Sequence, residues 1–111
     1  MAEFDCKNNG KAEFSVYVLD VLPLSEKCKY QLYVGSTWKT VEERFEEHKS
    51  GGPKSARIFR SIAKVGEIRW DLMNEFPKFC SRAGVGRAEA RVARWLMNRG
   101  FNVRCDKLEN D

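Results

Sequence analysis

The chain has 111 residues, 42% hydrophobic and 12% aromatic, which suffices for one packed domain and its rim but not for a second catalytic domain or a disordered chain. Apolar runs stop well short of the roughly 20 residues that span a bilayer, and the polar opening MAEFDCKNNGK lacks the apolar stretch of a secretion signal, so a soluble intracellular protein is expected, cytoplasmic or, in a eukaryote, nuclear. The net charge of +4 conceals an asymmetry: residues 1–53 carry seven Lys or Arg against nine Asp or Glu, and residues 54–111 carry thirteen against seven, which points to a face built for a polyanion.

Residues 1–13 read as a flexible polar lead. Phe14-Ser15-Val16-Tyr17-Val18-Leu19-Asp20-Val21 is rich in aromatic and β-branched residues and predicts a buried strand; Tyr30-Gln31-Leu32-Tyr33-Val34-Gly35 predicts a second. The short polar connection from Pro23 to Lys29 favours an antiparallel hairpin over a parallel crossover. Because side chains alternate across a strand, Ser15, Tyr17 and Leu19 share one face of the first, and Gln31, Tyr33 and Gly35 share one face of the second.

Thr40-Val41-Glu42-Glu43 is a helix start in which the Thr hydroxyl and the Glu carboxylate can each accept a hydrogen bond from the other's free backbone N–H, and Ser50-Gly51-Gly52-Pro53 marks its end. On a 3.6-residue wheel Val41 and Phe45 mark the buried stripe, Glu42, Glu43, Glu46 and Glu47 cover the outer side, and Arg44 and His48 border the core beside Val41. From Lys54 to Lys64 a second helix is expected to bury Ile58, Phe59 and Ile62, leaving Lys54, Arg57, Arg60 and Lys64 as a basic stripe. Glu67 to Met73 alternates as a third strand, and Phe76 to Gly86 reads as a loop. A last helix then runs from Arg87 to Arg99, stopped by Gly100, before Phe101-Asn102-Val103 returns to the core. The order ββααβα gives an α/β fold with a small three-stranded antiparallel sheet flanked by helices, one domain over residues 14–104 and a polar tail over 105–111.

Cys6, Cys28, Cys80 and Cys105 are scattered without zinc-site spacing, and without an export signal reduced thiols are expected. Trp38, Trp70 and Trp95 are assigned to the core by default, although Trp38, beside Lys39 in the loop before the first helix, is placed to stack on a base.

The last helix carries the most informative residue. Glu89 shares its side with Val92, Ala93 and Leu96, whereas Arg87, Arg91, Arg94 and Asn98 lie opposite and offer a second contact surface. A carboxylate aimed at the apolar side requires a partner, which can be a cation, a hydrogen-bond network or a bound metal. Arg44 and His48, four apart on one helical face near the Gly35 end of the second strand, set a guanidinium beside an imidazole opposite strand tyrosines, a combination suited to handling a phosphate.

On these residues the chain resembles a GIY-YIG nuclease. Tyr33-Val34-Gly35 matches the second half-motif and is followed by the family's helix with Arg44 and His48. Ser15-Val16-Tyr17 falls on the first half-motif and keeps only its tyrosine. Glu89, in Ala88-Glu89-Ala90-Arg91-Val92-Ala93, matches the acidic residue near the domain's end, and the likeness runs from Phe14 to Val103. The resemblance implies metal-dependent endonucleolytic hydrolysis of DNA phosphodiesters. Glu89 would hold a divalent cation, magnesium or in its place manganese, Tyr17 would activate or orient the attacking water with Tyr33 in the same cluster, Arg44 would neutralise the scissile phosphate, and His48 would serve as base or proton relay. Lys39, Lys54, Arg57, Arg60 and Lys64 would carry the nucleic acid.

Two positions depart from or strain the pattern. Ser15 stands where the family has glycine, and Asn102 either matches a family asparagine or belongs to a helix stop. With no recognition module appended, specificity is expected to be directed to branched or otherwise structured DNA, or supplied by a homodimer or a protein partner. The rival expectation is a catalytically weak nucleic-acid-binding module of the same fold.

Overall fold

The computed structural model describes residues 13–73 and 76–107; all but the last residue of the expected lead over 1–13 and the end of the expected tail over 105–111 lie outside them. Strand β1 (Phe14–Pro23) and strand β2 (Leu32–Thr37) form the expected antiparallel pair, in a register that sets Tyr17 opposite Gly35 and Leu19 opposite Tyr33. Every residue from Phe14 to Leu19 is buried, so β1 is covered on both faces, as its unbroken apolar and β-branched composition requires.

Helix α1 (Val41–Ser50) begins where the sequence signals it. The Thr40 side chain accepts the Glu43 N–H at 3.0 Å, and the Glu43 carboxylate accepts the Thr40 N–H at 3.0 Å. The helix closes at Gly51, whose φ of 67° is the left-handed conformation in which a Cβ is penalised. The burial of α1 is shifted from its expected stripe: Val41 and His48 are buried, whereas Phe45 is only half-buried.

The expected helix over Lys54–Lys64 is one turn, α2 (Ile58–Ser61), and strand β3 (Ala63–Ile68) follows, four residues before the expected third strand. Ser55 donates its backbone N–H and its hydroxyl to the Gly52 carbonyl, and the Lys54 carbonyl accepts from Arg44; these bonds hold the segment as a loop. Within β3 the alternation falls on Ala63 and Val65, both buried, with Lys64 exposed between them. Trp70–Met73 then forms a helical turn, α3, instead of continuing the strand.

The expected loop over Phe76–Gly86 contains β4 (Lys78–Phe79) and the first turn of α4 (Arg82–Asn98), which starts five residues before the expected position. Ser81 caps it, its hydroxyl accepting the Gly84 N–H at 2.9 Å. The face assignment of α4 stands: Glu89, Ala93 and Leu96 are buried, and Arg87, Arg91, Arg94 and Asn98 are exposed. Strand β5 (Val103–Arg104) pairs parallel to β2, held also by Gln31 and Leu32 donating to the Asn102 carbonyl.

The sheet is therefore five-stranded and mixed, ordered β3-β1-β2-β5 with β4 also paired to β1, instead of three-stranded and antiparallel; the class is α/β. The packed chain runs past the expected boundary at residue 104, because Cys105 is buried at 2% exposure. Cys28 and Cys105 are free buried thiols, but Cys80 is disulfide-bonded, which departs from four reduced cysteines. Cys6 lies outside the described residues. Among the described residues no helix is long and apolar enough to cross a membrane.

Candidate functional site

Four of the five expected site residues meet between the sheet and α1. Tyr17 and Tyr33 project from neighbouring strands with ring centroids 6.2 Å apart. The His48 ring lies 5.8 Å from Tyr17 and 5.4 Å from Tyr33, and Phe59 packs edge-on to both Tyr33 and His48 at 5.4 and 5.1 Å. Arg44, one turn before His48, donates to Glu47 at 2.8 Å and to the Lys54 carbonyl at 2.6 Å, and its charge acts on Tyr17. Glu89, 6% exposed on α4, is close enough for its charge to act on both phenols, while the Ser36 side chain and the Lys107 ammonium act on its own carboxylate.

Gly35 makes the tyrosine pair possible. A Cβ there would lie 2.6 Å from Tyr17 Oη, 2.8 Å from its Cζ and 3.0 Å from Tyr33 Cε2, so the bare backbone of β2 forms the floor on which the Tyr17 ring rests. Since Tyr17 is 1% exposed, the ring has nowhere to go. Gly35→Ala is expected to cost about 1–3 kcal/mol by overpacking, read as a lower urea midpoint. Adding Tyr17→Phe should recover part of that loss, and strict additivity of the two changes would refute this packing account.

The hydrogen bonds fix the protonation of His48. Its Nδ1 accepts the Ala56 backbone N–H at 3.0 Å, and a backbone amide can only donate, so the neutral ring carries its proton on Nε2 and donates it to Tyr17 Oη at 2.7 Å. Burial, with the Arg44 charge adding to it, holds the imidazole neutral down to about 3. His48 is thus corrected from a base or relay to a residue that positions Tyr17: both ring nitrogens are engaged, and neither offers a free lone pair. Burial also raises the Tyr17 and Tyr33 phenols far above their ordinary value, with Arg44 opposing the rise, so both are neutral near physiological pH. Burial raises the Glu89 carboxyl too, partly offset by Ser36 and Lys107.

Beside this cluster opens a cleft of about 490 Å³. Lys39, Arg44, Lys54, Arg82 and Lys107 line it against one acid, Glu47, which is already bound to Lys39 and Arg44 and is held at about 2 by those hydrogen bonds. Trp38, 59% exposed, lines it with Lys39 near its ring face. All three tryptophans lie at the surface, with Trp70 at 52% and Trp95 at 43%, so their assignment to the core is corrected.

Of the five residues expected to carry nucleic acid, the cleft includes Lys39 and Lys54 only. Arg57, Arg60 and Lys64 are exposed away from its lining, because the helix that would have aligned them is a single turn. Sequence reasoning missed Arg82 and Lys107, which reach the cleft from the start of α4 and from the segment that follows β5. Ser15 is buried and its hydroxyl accepts from Lys78 Nζ at 2.8 Å, so the departure from glycine is absorbed into the contact of β1 with β4. Asn102 is exposed and serves through its backbone.

The described residues hold no group of three or more His, Cys, Asp or Glu suited to a metal, which does not suit a fully protein-caged ion. One buried carboxylate beside a basic cleft does suit magnesium, which keeps several waters and takes further oxygens from a phosphate.

Compared with protein-family models, with curated proteins and with solved structures, the chain matches none.

Proposed function

We propose that the chain is a phosphodiester hydrolase of the GIY-YIG type that binds the backbone of DNA in the cationic cleft and cuts it beside Glu89. The single observation that carries this reading is the cleft itself: five cations, the Arg44 guanidinium among them, against one acid that is already paired, adjoining a buried carboxylate and two phenols. Phosphate contacts of this kind give affinity without sequence preference, in keeping with a target defined by structure or by a partner.

In the reaction a water oxygen bonds to phosphorus as the bond to the leaving oxygen breaks; the attacking water gives its proton to solvent in the cleft, and the leaving oxygen takes one up from it. Tyr17, fixed by the His48 Nε2–H, orients that water through its hydroxyl, and Tyr33 packs beside its ring. Arg44, held by Glu47 and the Lys54 carbonyl, offsets the charge that builds on the phosphate. Glu89 would hold the divalent cation, whose chemistry is to stabilise the leaving oxygen.

The rival reading is a module that binds and does not cut. It draws on two neutral phenols and a histidine without a free lone pair, which leave no poised base. Labelled single-stranded, duplex and branched DNA incubated with magnesium, manganese or EDTA separates the two readings. Cleavage that requires metal is expected, and binding without cleavage under every condition would leave the module.

Lys54→Gln with Arg82→Gln is expected to lower duplex affinity and to flatten the slope of log affinity against log salt by about two, one for each phosphate no longer neutralised. An unchanged slope would remove the cleft from the binding surface.

A further inference from the structure

Two residues each line two hollows, and together they join three hollows into a path. Lys107 lines the cationic cleft and also a second hollow of about 390 Å³ that contains Arg87, Arg91 and Arg94. Arg91 lines that hollow and also a groove of about 520 Å³ whose walls are mostly aromatic and aliphatic, with Leu72, Phe76, Phe79, Val92 and Trp95 among them and one acid, Asp71, which is paired to Arg69. Along α4 the path runs from a cleft for phosphate, over a shelf of cations, to a groove for flat apolar groups. The Arg87 to Arg94 stretch of the shelf covers about 10 Å of helix.

The groove differs in kind from the other two hollows. Trp95 is 43% exposed although the core lies beside it, and the Arg99 guanidinium stacks over its ring at 4.2 Å, which fixes the indole. A surface that offers cations and then an aromatic groove matches a ligand that presents phosphates together with flat ring faces. A single nucleic-acid strand has both. In a duplex the ring faces are hidden in the stack, and an acidic peptide supplies charge without them.

We propose that the exposed side of α4 binds an unpaired stretch of the nucleic acid held in the cleft, with its phosphates on Lys107, Arg87 and Arg91 and a base stacked in the groove beside Trp95. This rests on the reading of the cleft as a nucleic-acid site. It assigns the arginines that face away from Glu89 to a second segment of the same ligand.

The test uses the full chain in EDTA, with two probes: an oligothymidylate of about twelve nucleotides and a blunt duplex. Trp95→Leu, which keeps apolar volume and loses the indole face, is expected to weaken oligothymidylate binding about tenfold and to leave duplex affinity within about twofold. Trp95→Phe should stay near the parent, and Arg87→Gln with Arg91→Gln should weaken the same probe and flatten its salt slope by about one or more.

Oligothymidylate affinity that is the same in Trp95→Leu as in the parent overturns the proposal. So does self-association of the chain that Trp95→Leu abolishes without changing oligothymidylate binding, since the groove would then hold a second copy. Lys54→Gln with Arg82→Gln judges the cleft separately, by duplex affinity, so failure of the cleft and failure of the α4 surface give different results. Should Trp95→Leu unfold, Trp95→Phe against Arg87→Gln with Arg91→Gln decides: an unchanged salt slope in the arginine variant overturns the proposal.

Discussion

Glu89→Gln is expected to reduce metal-dependent cleavage by about a thousandfold or more while leaving DNA binding in EDTA intact and making the folded chain more stable. The first part follows from the role proposed for the carboxylate. A bound cation contributes several kcal/mol of charge stabilisation in the transition state, and each 1.4 kcal/mol is about a factor of ten in rate; an amide of the same shape cannot hold the ion. The second part follows from burial. Glu89 is 6% exposed, and desolvation raises its carboxyl above the ordinary value. Between the ordinary value and the raised one the native chain holds a proton that the unfolded chain has released. Stability therefore falls as pH climbs through that window, and above it the ionised carboxylate is held at a net cost.

Glutamine removes that cost, and a gain of about 1 kcal/mol, roughly 4 °C in melting temperature, is the usual scale when a functional residue is relieved. Melts of both proteins in EDTA should converge as the pH is lowered and Glu89 takes up its proton. A variant that cuts at the parent rate would make Glu89 a structural residue. One that loses cleavage, binding and stability together would show that its loss had damaged the fold.

The parts of the molecule legible in sequence are those set by neighbours in the chain. Thr40 and Glu43 cap α1 through atoms three residues apart, and the wheel of α4 placed Glu89 inward from its own spacing to Ala93 and Leu96. The parts missed depend on distant partners. The run Lys54–Lys64 has helical spacing, yet its residues answer to Gly52, to Arg44 and to the edge of β1, so helix gives way to loop, one turn and β3. Two-residue strands such as β4 and β5 carry no period of their own and exist because β1 and β2 offer unpaired edges. The cleft follows the same rule: Lys39 and Lys54 come from the chain near α1, but Arg82 and Lys107 are brought there only by the packing of α4 and β5. The inward position of His48 was half legible. Its place beside Val41 came from the wheel, but its near-complete burial, deeper than Phe45, comes from the Tyr17 and Ala56 bonds that only the fold supplies.

That burial leads to the second large effect, loss of stability in mild acid. His48 is 1% exposed and remains neutral in the folded chain down to about 3, against an ordinary value of 6.5. The groups that act on it are Arg44, which adds to the effect of burial, and Glu47, which opposes it. Below 6.5 the unfolded chain takes up a proton that the folded chain refuses, so the unfolded state binds more protons and stability rises with pH through this window. The contribution is full above the ordinary value and is lost as pH falls towards 3, an upper limit of about 5 kcal/mol at 1.36 kcal/mol per unit.

His48→Gln separates this from the carboxylates that also titrate in acid. Glutamine has an amide that can donate to Tyr17 Oη, but it cannot titrate and cannot serve the Ala56 N–H in the same way. At neutral pH the variant should be less stable by about 2 kcal/mol, the scale of a buried amide left without its acceptor. As the pH falls the two urea midpoints should approach each other, since only the parent loses stability through the imidazole. Parallel curves between about pH 7 and pH 4 would mean that His48 is protonated in the folded chain near its ordinary value. The Ala56 amide would then face a cation, and the assignment of the Nε2 proton, on which the orientation of Tyr17 rests, would fall with it.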